Sequence, residues 1–391
     1  MNVTDSIIYV GVEDRTIDLF ESQYPVPHGV TYNSYVIMDD HITIMDTVDK
    51  RATQEWLDKI KDVLQDKEPE YLVVSHMEPD HGSSVASLAK EYSNMKIVGN
   101  VKTFTMIDQF FPGLENERVV VKEGETLELG QHTLKFIMAP MVHWPEVMMS
   151  YEMSEKVLFS ADAFGTFGTL DHQENWMDEA RRYYLNIVGK YGMQVQTVLK
   201  KAAQIDIDMI CPLHGPVLKE DLSQYICAYQ TWSQYLPEES VILLAYASIH
   251  GYTKDVVMYL ADLLKKQGEN IELVDLCRED VSYAVAKAFK YDRMILASST
   301  YDGSMFCPME TFLHHLKSKN FQKRTIGLIE NGSWAPMANK AMKSLLETMK
   351  DIEIVEPTIT VRSSLSEENK KELEELVKTM VEGGCQDEVC M

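Results

Sequence analysis

A chain of 391 residues with 61 acidic against 37 basic side chains, a formal charge of −24, has the length for two ordinary domains and is too acidic for broad adhesion to nucleic acid or an anionic membrane. Its first residues lack a basic segment followed by a continuous apolar run, and no stretch is long enough to span a bilayer, so a cytoplasmic protein without membrane insertion is expected. Six cysteines, scattered apart from Cys385 and Cys390 and without a CxxC spacing, do not make a disulfide scaffold, a rubredoxin-like iron site or a structural zinc site.

The first half begins with strand patterns at 7–12, 31–38 and 42–47, separated by turns rich in Gly, Pro, Asp and Asn, and continues into an amphipathic helix over 51–64 with Trp56, Ile60 and Leu64 at helical spacing. The apolar run at 71–74 reads as a buried strand that empties into His76, Glu78, Asp80 and His81. Pro79 opposes a regular continuation, which predicts a post-strand loop, and a helix follows over 82–90. Strands at 119–122 and 131–139 flank a turn at 123–125, and the loop beyond them carries His143. A strand at 157–160 leads to Asp162, and one at 205–211 leads through Pro212 and Leu213 to His214. After a linking helix at 225–235, the Pro-Glu-Glu-Ser stretch at 237–240 marks the boundary between domains 1–236 and 241–391.

Beyond that boundary strands at 241–247, 271–276, 293–297, 325–329 and 351–355 alternate with helices, one of them using Val256, Leu260 and Leu264 and others lying at 281–289, 310–316 and 335–349. A charged helix follows, and 385–391 reads as a poorly constrained tail. Strands separated by helices of this length predict a parallel sheet covered on both faces, with ligand loops at the strand ends. Three such loops stand out. Ser248, His250, Gly251, Tyr252 and Thr253 precede a helix whose first amides can cradle a terminal phosphate, although a helix-capping turn explains the same residues. Ser298, Ser299, Thr300, Tyr301, Asp302 and Gly303 form the second, and Asn331, Gly332, Ser333 and Trp334 the third. Their short polar groups can bind the edge of a planar ring on which Tyr301 or Trp334 stacks, unless those aromatics serve packing.

His76, Glu78, Asp80 and His81 offer nitrogen and carboxylate donors for one metal or two, or else make a polar rim around an active site. Two metals need further ligands, and the strand-end residues His143, Asp162 and His214 have the chemistry to complete two three-donor half-sites and one bridge. Ligand types alone leave iron, zinc and manganese open. No cysteine joins the set, and Cys211 reads as a buried strand-end residue. His28 and Trp144 can line the pocket or simply pack, while His41, His132, His172, His314 and His315 are expected in solvent or local hydrogen bonds.

Taken together, His76-x-Glu78-x-Asp80-His81, His143-Trp144-Pro145, Ser160-Ala161-Asp162 and Cys211-Pro212-Leu213-His214-Gly215 resemble the flavodiiron protein family over nearly the whole chain. The resemblance implies an α/β protein with an amino-terminal metallo-β-lactamase-like αββα domain and a carboxy-terminal flavodoxin-like parallel-sheet domain that binds FMN. It implies two non-haem irons per chain, one on His76, Glu78 and His143, the other on Asp80, His81 and His214, with Asp162 bridging both. Glu78 stands where hydrolases of related scaffold commonly have histidine, and the added carboxylate suits a harder, redox-active metal. His250 and Gly251 depart from the Ser/Thr-rich phosphate loop commonest in flavodoxins.

The implied activity is reduction of dioxygen to water, of nitric oxide to nitrous oxide, or both, by electrons passing through FMN. The implied assembly is a head-to-tail homodimer that sets each FMN beside the partner's diiron site, with a homotetramer as a further state. Rubredoxin, a reduced deazaflavin or a nicotinamide-linked reductase would supply the electrons, since no rubredoxin module is appended. Two other classes stay open at this point: a metallo-β-lactamase-fold hydrolase with a regulatory flavin domain, and a non-enzymatic redox sensor or electron-carrier scaffold.

Overall fold

A computed structural model describes residues 2–172 and 176–383, which fall into two compact units, Met1–Tyr229 and Gln230–Met391. The tail expected at 385–391 lies outside the described residues.

The first unit is a sandwich of two sheets. One has six strands in the order Ile7–Tyr9, Tyr35–Ile37, Thr43–Met45, Tyr71–Val73, Lys96–Gly99 and Arg118–Val120; the other has five, in the order Thr126–Glu128, Thr133–Met138, Met148–Glu152, Val157–Phe159 and Met209–Cys211. Alternation along each strand sends one set of side chains inward. Ile37, Met45, Val73 and Val98 from the first sheet meet Phe136, Met148, Val157 and Phe159 from the second in one buried cluster. The parallel strands of the first sheet are joined by helices, among them Thr53–Leu64, which buries Trp56, Leu57, Ile60 and Leu64. Burying each such side chain contributes about 1.5–3 kcal/mol relative to exposure. These are the layers of a β-lactamase-like αββα domain.

Three local expectations need correction. The strand read at 31–38 is two strands, Val30–Tyr32 and Tyr35–Ile37, which pair in different sheets. Asn33 makes the break: its backbone N–H donates to the Leu213 carbonyl and its side-chain amide to the carbonyls of Pro212 and Gly215, so its hydrogen bonds serve the loop around His214. Pro79 does not prevent regular structure; it opens a single helical turn, Pro79–Gly82, where a first-turn residue needs no N–H partner. The segment read as a strand from 205 pairs only over Met209–Cys211. Strands Lys96–Gly99, Thr126–Glu128 and Met148–Glu152 and the helices Val101–Phe110 and Gly192–Ala202 were not anticipated.

The second unit has one sheet whose main path runs Ile271–Asp275, Glu239–Ala247, Tyr291–Tyr301, Arg324–Asn331 and Ile352–Ile354, all parallel, which is the 2-1-3-4-5 order of a flavodoxin-like fold. Val256, Leu260 and Leu264 of the helix Tyr252–Lys266 pack with Leu244, Ile295 and Ile329 of the sheet and with Leu373 and Leu376 of the terminal helix Glu367–Glu382. The central strand is longer than its apolar run suggests. Ser298 and Ser299 still pair with Glu330 and Asn331, because backbone hydrogen bonding continues past the point where side chains turn polar. A further strand, Ile359–Val361, pairs with the same end of Arg324–Asn331. Among the described residues no helix is long and apolar enough to cross a membrane.

Candidate functional site

Sheet direction brings the donors of the first unit together. Val157–Phe159 and Met209–Cys211 run parallel, so Asp162 and His214 leave the same edge; Met148–Glu152 runs antiparallel, so the loop before it, with His143, lies at that edge too. His76, Glu78, Asp80 and His81 follow the strand Tyr71–Val73 of the facing sheet. The ligand atoms of His76, Glu78, His143 and Asp162 form one close group, and those of Asp80, His81 and His214 a second.

In the first group His76 Nε2 lies 3.3 Å from Glu78 Oε2 and 3.2 Å from Asp162 Oδ2, and His143 Nε2 lies 2.9 and 3.1 Å from the same two oxygens. In the second, His214 Nε2 is 3.1 Å from Asp80 Oδ2 and from His81 Nε2, and His81 Nε2 is 3.5 Å from Asp80 Oδ2. Asp162 spans the two, with Oδ2 toward the first group and Oδ1 3.8 Å from His214 Nε2. Such spacings match the edges of a coordination shell with bonds of about 2.0–2.2 Å.

The tautomers sharpen this. His81 Nδ1 faces the Thr47 carbonyl at 3.3 Å and His214 Nδ1 faces the Thr31 carbonyl at 2.6 Å. A carbonyl only accepts, so each Nδ1 carries the hydrogen, and each ring, once it has no second proton, presents its lone pair at Nε2. Two lone pairs 3.1 Å apart repel unless a cation or proton stands between them. His76 is held the same way, its Nδ1 donating to Glu146 Oε1 at 2.8 Å while Nε2 faces carboxylates. The buried atoms His143 Nε2, Asp80 Oδ1 and Asp162 Oδ1 have no hydrogen-bond partner. A buried set of carboxylates and imidazole lone pairs with orphaned donor atoms is chemistry for cations.

Electrostatics agree. Burial disfavours the His143 imidazolium, but the close carboxylates of Asp162 and Glu78, 3.1 and 2.9 Å from its Nε2, outweigh it and raise its pKa to about 9. His76 is likewise raised despite burial, chiefly by the Asp162 charge. Burial would raise Glu78, yet His143 and His76 hold it down at about 2, and the same two rings hold Asp162 well below the usual carboxylate range. His81 falls to about 4, because burial and neighbouring His214 outweigh Asp80. Protons thus occupy the place a metal would take around the first group.

A cleft of about 310 Å³ reaches Glu78 and Asp80, and Phe20, Glu21, Tyr32 and Arg51 help to line it. Neither His28 nor Trp144 is among its lining residues: His28 is exposed and stacks on His172 at 4.6 Å, and Trp144 packs edge-on against the His76 ring at 5.3 Å. His132 sits between Asp39, 2.7 Å from Nδ1, and Ser6, 2.9 Å from Nε2, which straps the amino terminus to the second sheet. Sequence reasoning missed Glu146, although a carboxylate three residues beyond His143 was a signal. It also missed the carbonyls of Thr31 and Thr47, which leave no mark in a sequence.

In the second unit a cleft of about 730 Å³, within the size range of cofactor sites, opens at the strand ends. His250, Tyr252, Thr253, Ser299, Thr300, Tyr301, Asp302, Gly303, Asn331, Gly332, Ser333 and Trp334 line it, with Ile249 and Ala335 of the same loops and the unanticipated Met337 and Ser363. Ser248, Gly251 and Ser298 do not. Ser248 Oγ accepts from the N–H groups of Gly251 and Lys254 and so caps the turn into the helix Tyr252–Lys266, while Gly251 supplies a left-handed φ of 94°. Ser298 is buried, its Oγ accepting from the Phe306 N–H. Within the cleft, Thr300 Oγ1 accepts from Met337 N–H and the Asn331 amide pairs with the Ser363 backbone, so both side chains shape the wall. Tyr301, whose ring meets Phe306 edge-on at 5.5 Å, and Trp334 are 44% and 82% exposed, leaving aromatic surface accessible to a planar partner.

Comparison with known proteins gives two family matches: residues 30–215 match the ODP family beta lactamase, and residues 243–382 match a flavodoxin domain. A nitric oxide reductase of Moorella thermoacetica is 28% identical over 371 residues, covering 92% of each chain. Among solved structures, the flavodiiron protein of Giardia intestinalis superposes with a TM-score of 0.91 at 23% identity over 97% of this chain and 96% of that one. Rubredoxin oxygen:oxidoreductase of Desulfovibrio gigas gives 0.91 at 24% identity over 98% of both. At such identities the two structures speak for the fold.

Proposed function

We propose, for a chain that belongs to the flavodiiron family and is an FMN-dependent oxidoreductase, that it delivers electrons to a pair of non-haem irons at which dioxygen or nitric oxide is reduced. When bound, FMN would gather reducing equivalents and the irons would bind the small oxidant. Reducing dioxygen to water takes four electrons and four protons; joining two nitric oxides into nitrous oxide and water takes two of each.

The chain's own residues divide this work. His76, Glu78 and His143 would hold one iron and Asp80, His81 and His214 the other, with Asp162 offering one oxygen to each. Thr31, Thr47 and Glu146 orient the rings of His214, His81 and His76 so that their Nε2 atoms face inward. Phe20 and Tyr183 pack against the His214 ring, at 5.3 and 5.5 Å between centroids, and hold it in place. In the second unit the first-turn amides of the helix Tyr252–Lys266 would receive the FMN phosphate, with Thr253 beside them, and Tyr301 and Trp334 would flank the ring system. The observation that carries the reading is the facing pair of Nε2 atoms on His81 and His214, 3.1 Å apart, each ring's other nitrogen being committed to a carbonyl.

A rubredoxin-type donor, a head-to-tail homodimer and a cytoplasmic setting belong to the same proposal, the first being supported by the name of the Desulfovibrio gigas structure. The test is anaerobic reduction of the flavin followed by measured additions of dioxygen or nitric oxide, with flavin absorbance and gas concentration followed together. Gas loss and flavin reoxidation in the electron ratios above are expected, with two irons and one FMN per chain by analysis. Zinc in the site with hydrolytic turnover, or a reduced flavin that neither gas reoxidises faster in metal-loaded than in metal-free protein, would overturn it.

A further inference from the structure

Glu146 is a wholly buried carboxylate that neither donor group uses. It lies in the loop before the strand Met148–Glu152, and its Oε1 accepts both the His76 ring N–H at 2.8 Å and the Met77 backbone N–H at 2.9 Å. Its own carbonyl accepts from the Asn100 side-chain amide at 2.5 Å, and the oxygen of that amide caps the helix Val101–Phe110 by accepting from Lys102 and Thr103. The residue is therefore held through its backbone carbonyl and through Oε1, its Oε2 being buried without a hydrogen-bond partner, and the Trp144 ring packs edge-on against His76 beside it. Among the described residues the other donor group has nothing equivalent: His81 and His214 lean on the neutral carbonyls of Thr47 and Thr31.

We propose that Glu146 is a positioning residue that makes the two metal positions unequal: acting through His76, it strengthens the position built from His76, Glu78 and His143, which fills first and holds its ion more tightly. A carboxylate on the far nitrogen fixes the ring's orientation and makes its near nitrogen a more basic ligand, whereas a carbonyl fixes orientation with much less charge. The two positions also differ in the carboxylates that touch their rings. Glu78 and Glu146 serve the first and Asp80 the second, with Asp162 common to both. The inference rests on the two-metal reading given above.

The test titrates the full-length, FMN-bound, metal-stripped protein with cobalt(II), whose visible absorption bands report each filled position. Wild type is expected to take two ions in two resolved steps, and His214→Ala to keep the tighter step. Glu146→Ala should weaken that step about 10- to 100-fold and change its bands while leaving the weaker step in place. Glu146→Gln retains an acceptor for His76 and Met77 without the charge, and should restore the band shape with only part of the affinity. A tighter step that Glu146→Gln and Glu146→Ala leave within about twofold of wild type, or a loss shared equally by both steps, overturns the proposal. Should Glu146→Ala fail to fold by circular dichroism, Glu146→Gln decides alone, an unchanged tighter step overturning it. Wild type that does not take two ions overturns the two-metal reading itself, which separates that failure from this one.

Discussion

Raising the pH on metal-free protein should loosen the amino-terminal unit, and refilling the site should remove the effect. Without cations, the proton on His143 holds the Glu78 and Asp162 carboxylates together at 2.9 and 3.1 Å. Its pKa of about 9, set against the ordinary 6.5, corresponds to about 3 kcal/mol of stability. A raised pKa in the folded state stabilises fully below about 6.5, and the contribution disappears as the pH climbs through about 9. The His143 side chain is 9% exposed, so solvent does little to screen the effect. Glu78, held at about 2, reports the same interaction from its other partner and adds no separate amount. Urea unfolding of metal-stripped protein, followed by tryptophan fluorescence at about pH 6.5, 8 and 9.5, should lose about 2–3 kcal/mol across the series. Asp162→Asn, lacking one of the two carboxylates, should lose less. A flat metal-free profile, or an equal loss in the metal-loaded protein, would refute the claim that protons stand in for cations at this site.

Asp162→Ala should bring metal content from two ions per chain to well under one, because both groups share that side chain, while FMN content stays at one; elemental analysis and flavin absorbance check this. Arg324, 2% exposed, donates to the carbonyls of Tyr291, Tyr235, Gln322, Lys323 and Phe289. Arg324→Met strands these acceptors and should cost the second unit about 3–5 kcal/mol in denaturant unfolding followed through flavin release. Gly251→Ala places a Cβ where no atom lies within 4 Å, so its cost is backbone strain at a φ of 94° alone, about 1–2 kcal/mol. It should appear as weaker FMN binding in fluorescence titration, and unchanged binding would show that the turn into this helix does not position the phosphate.

Much of this architecture is legible along the chain because its signals are local. Periodicity places Trp56, Ile60 and Leu64 on one helix face and Val256, Leu260 and Leu264 on another, and both sets are buried. Polar clusters at strand ends likewise mark the loops that carry the metal donors and the flavin-domain cleft. The pattern fails where backbone hydrogen bonding decides: Asn33 divides a continuous β pattern to brace the His214 loop, Pro79 begins a helical turn, and Tyr291–Tyr301 extends past its apolar run.

What the amino-acid order determined by itself is the kind of chemistry each segment carries, since side-chain type and spacing survive any change of tertiary arrangement. The tertiary structure alone decided which donors meet. Asp162 reaches His76 and His214 at once because two sheets present their strand ends at one edge, at distances that no linear spacing encodes. It alone decided, too, that Glu146 and the carbonyls of Thr31 and Thr47 orient the rings and that Ser248 and Ser298 turn to backbone duties. A hydrogen bond depends on where two distant segments are brought by sheet register, and a backbone carbonyl is the same atom in every residue.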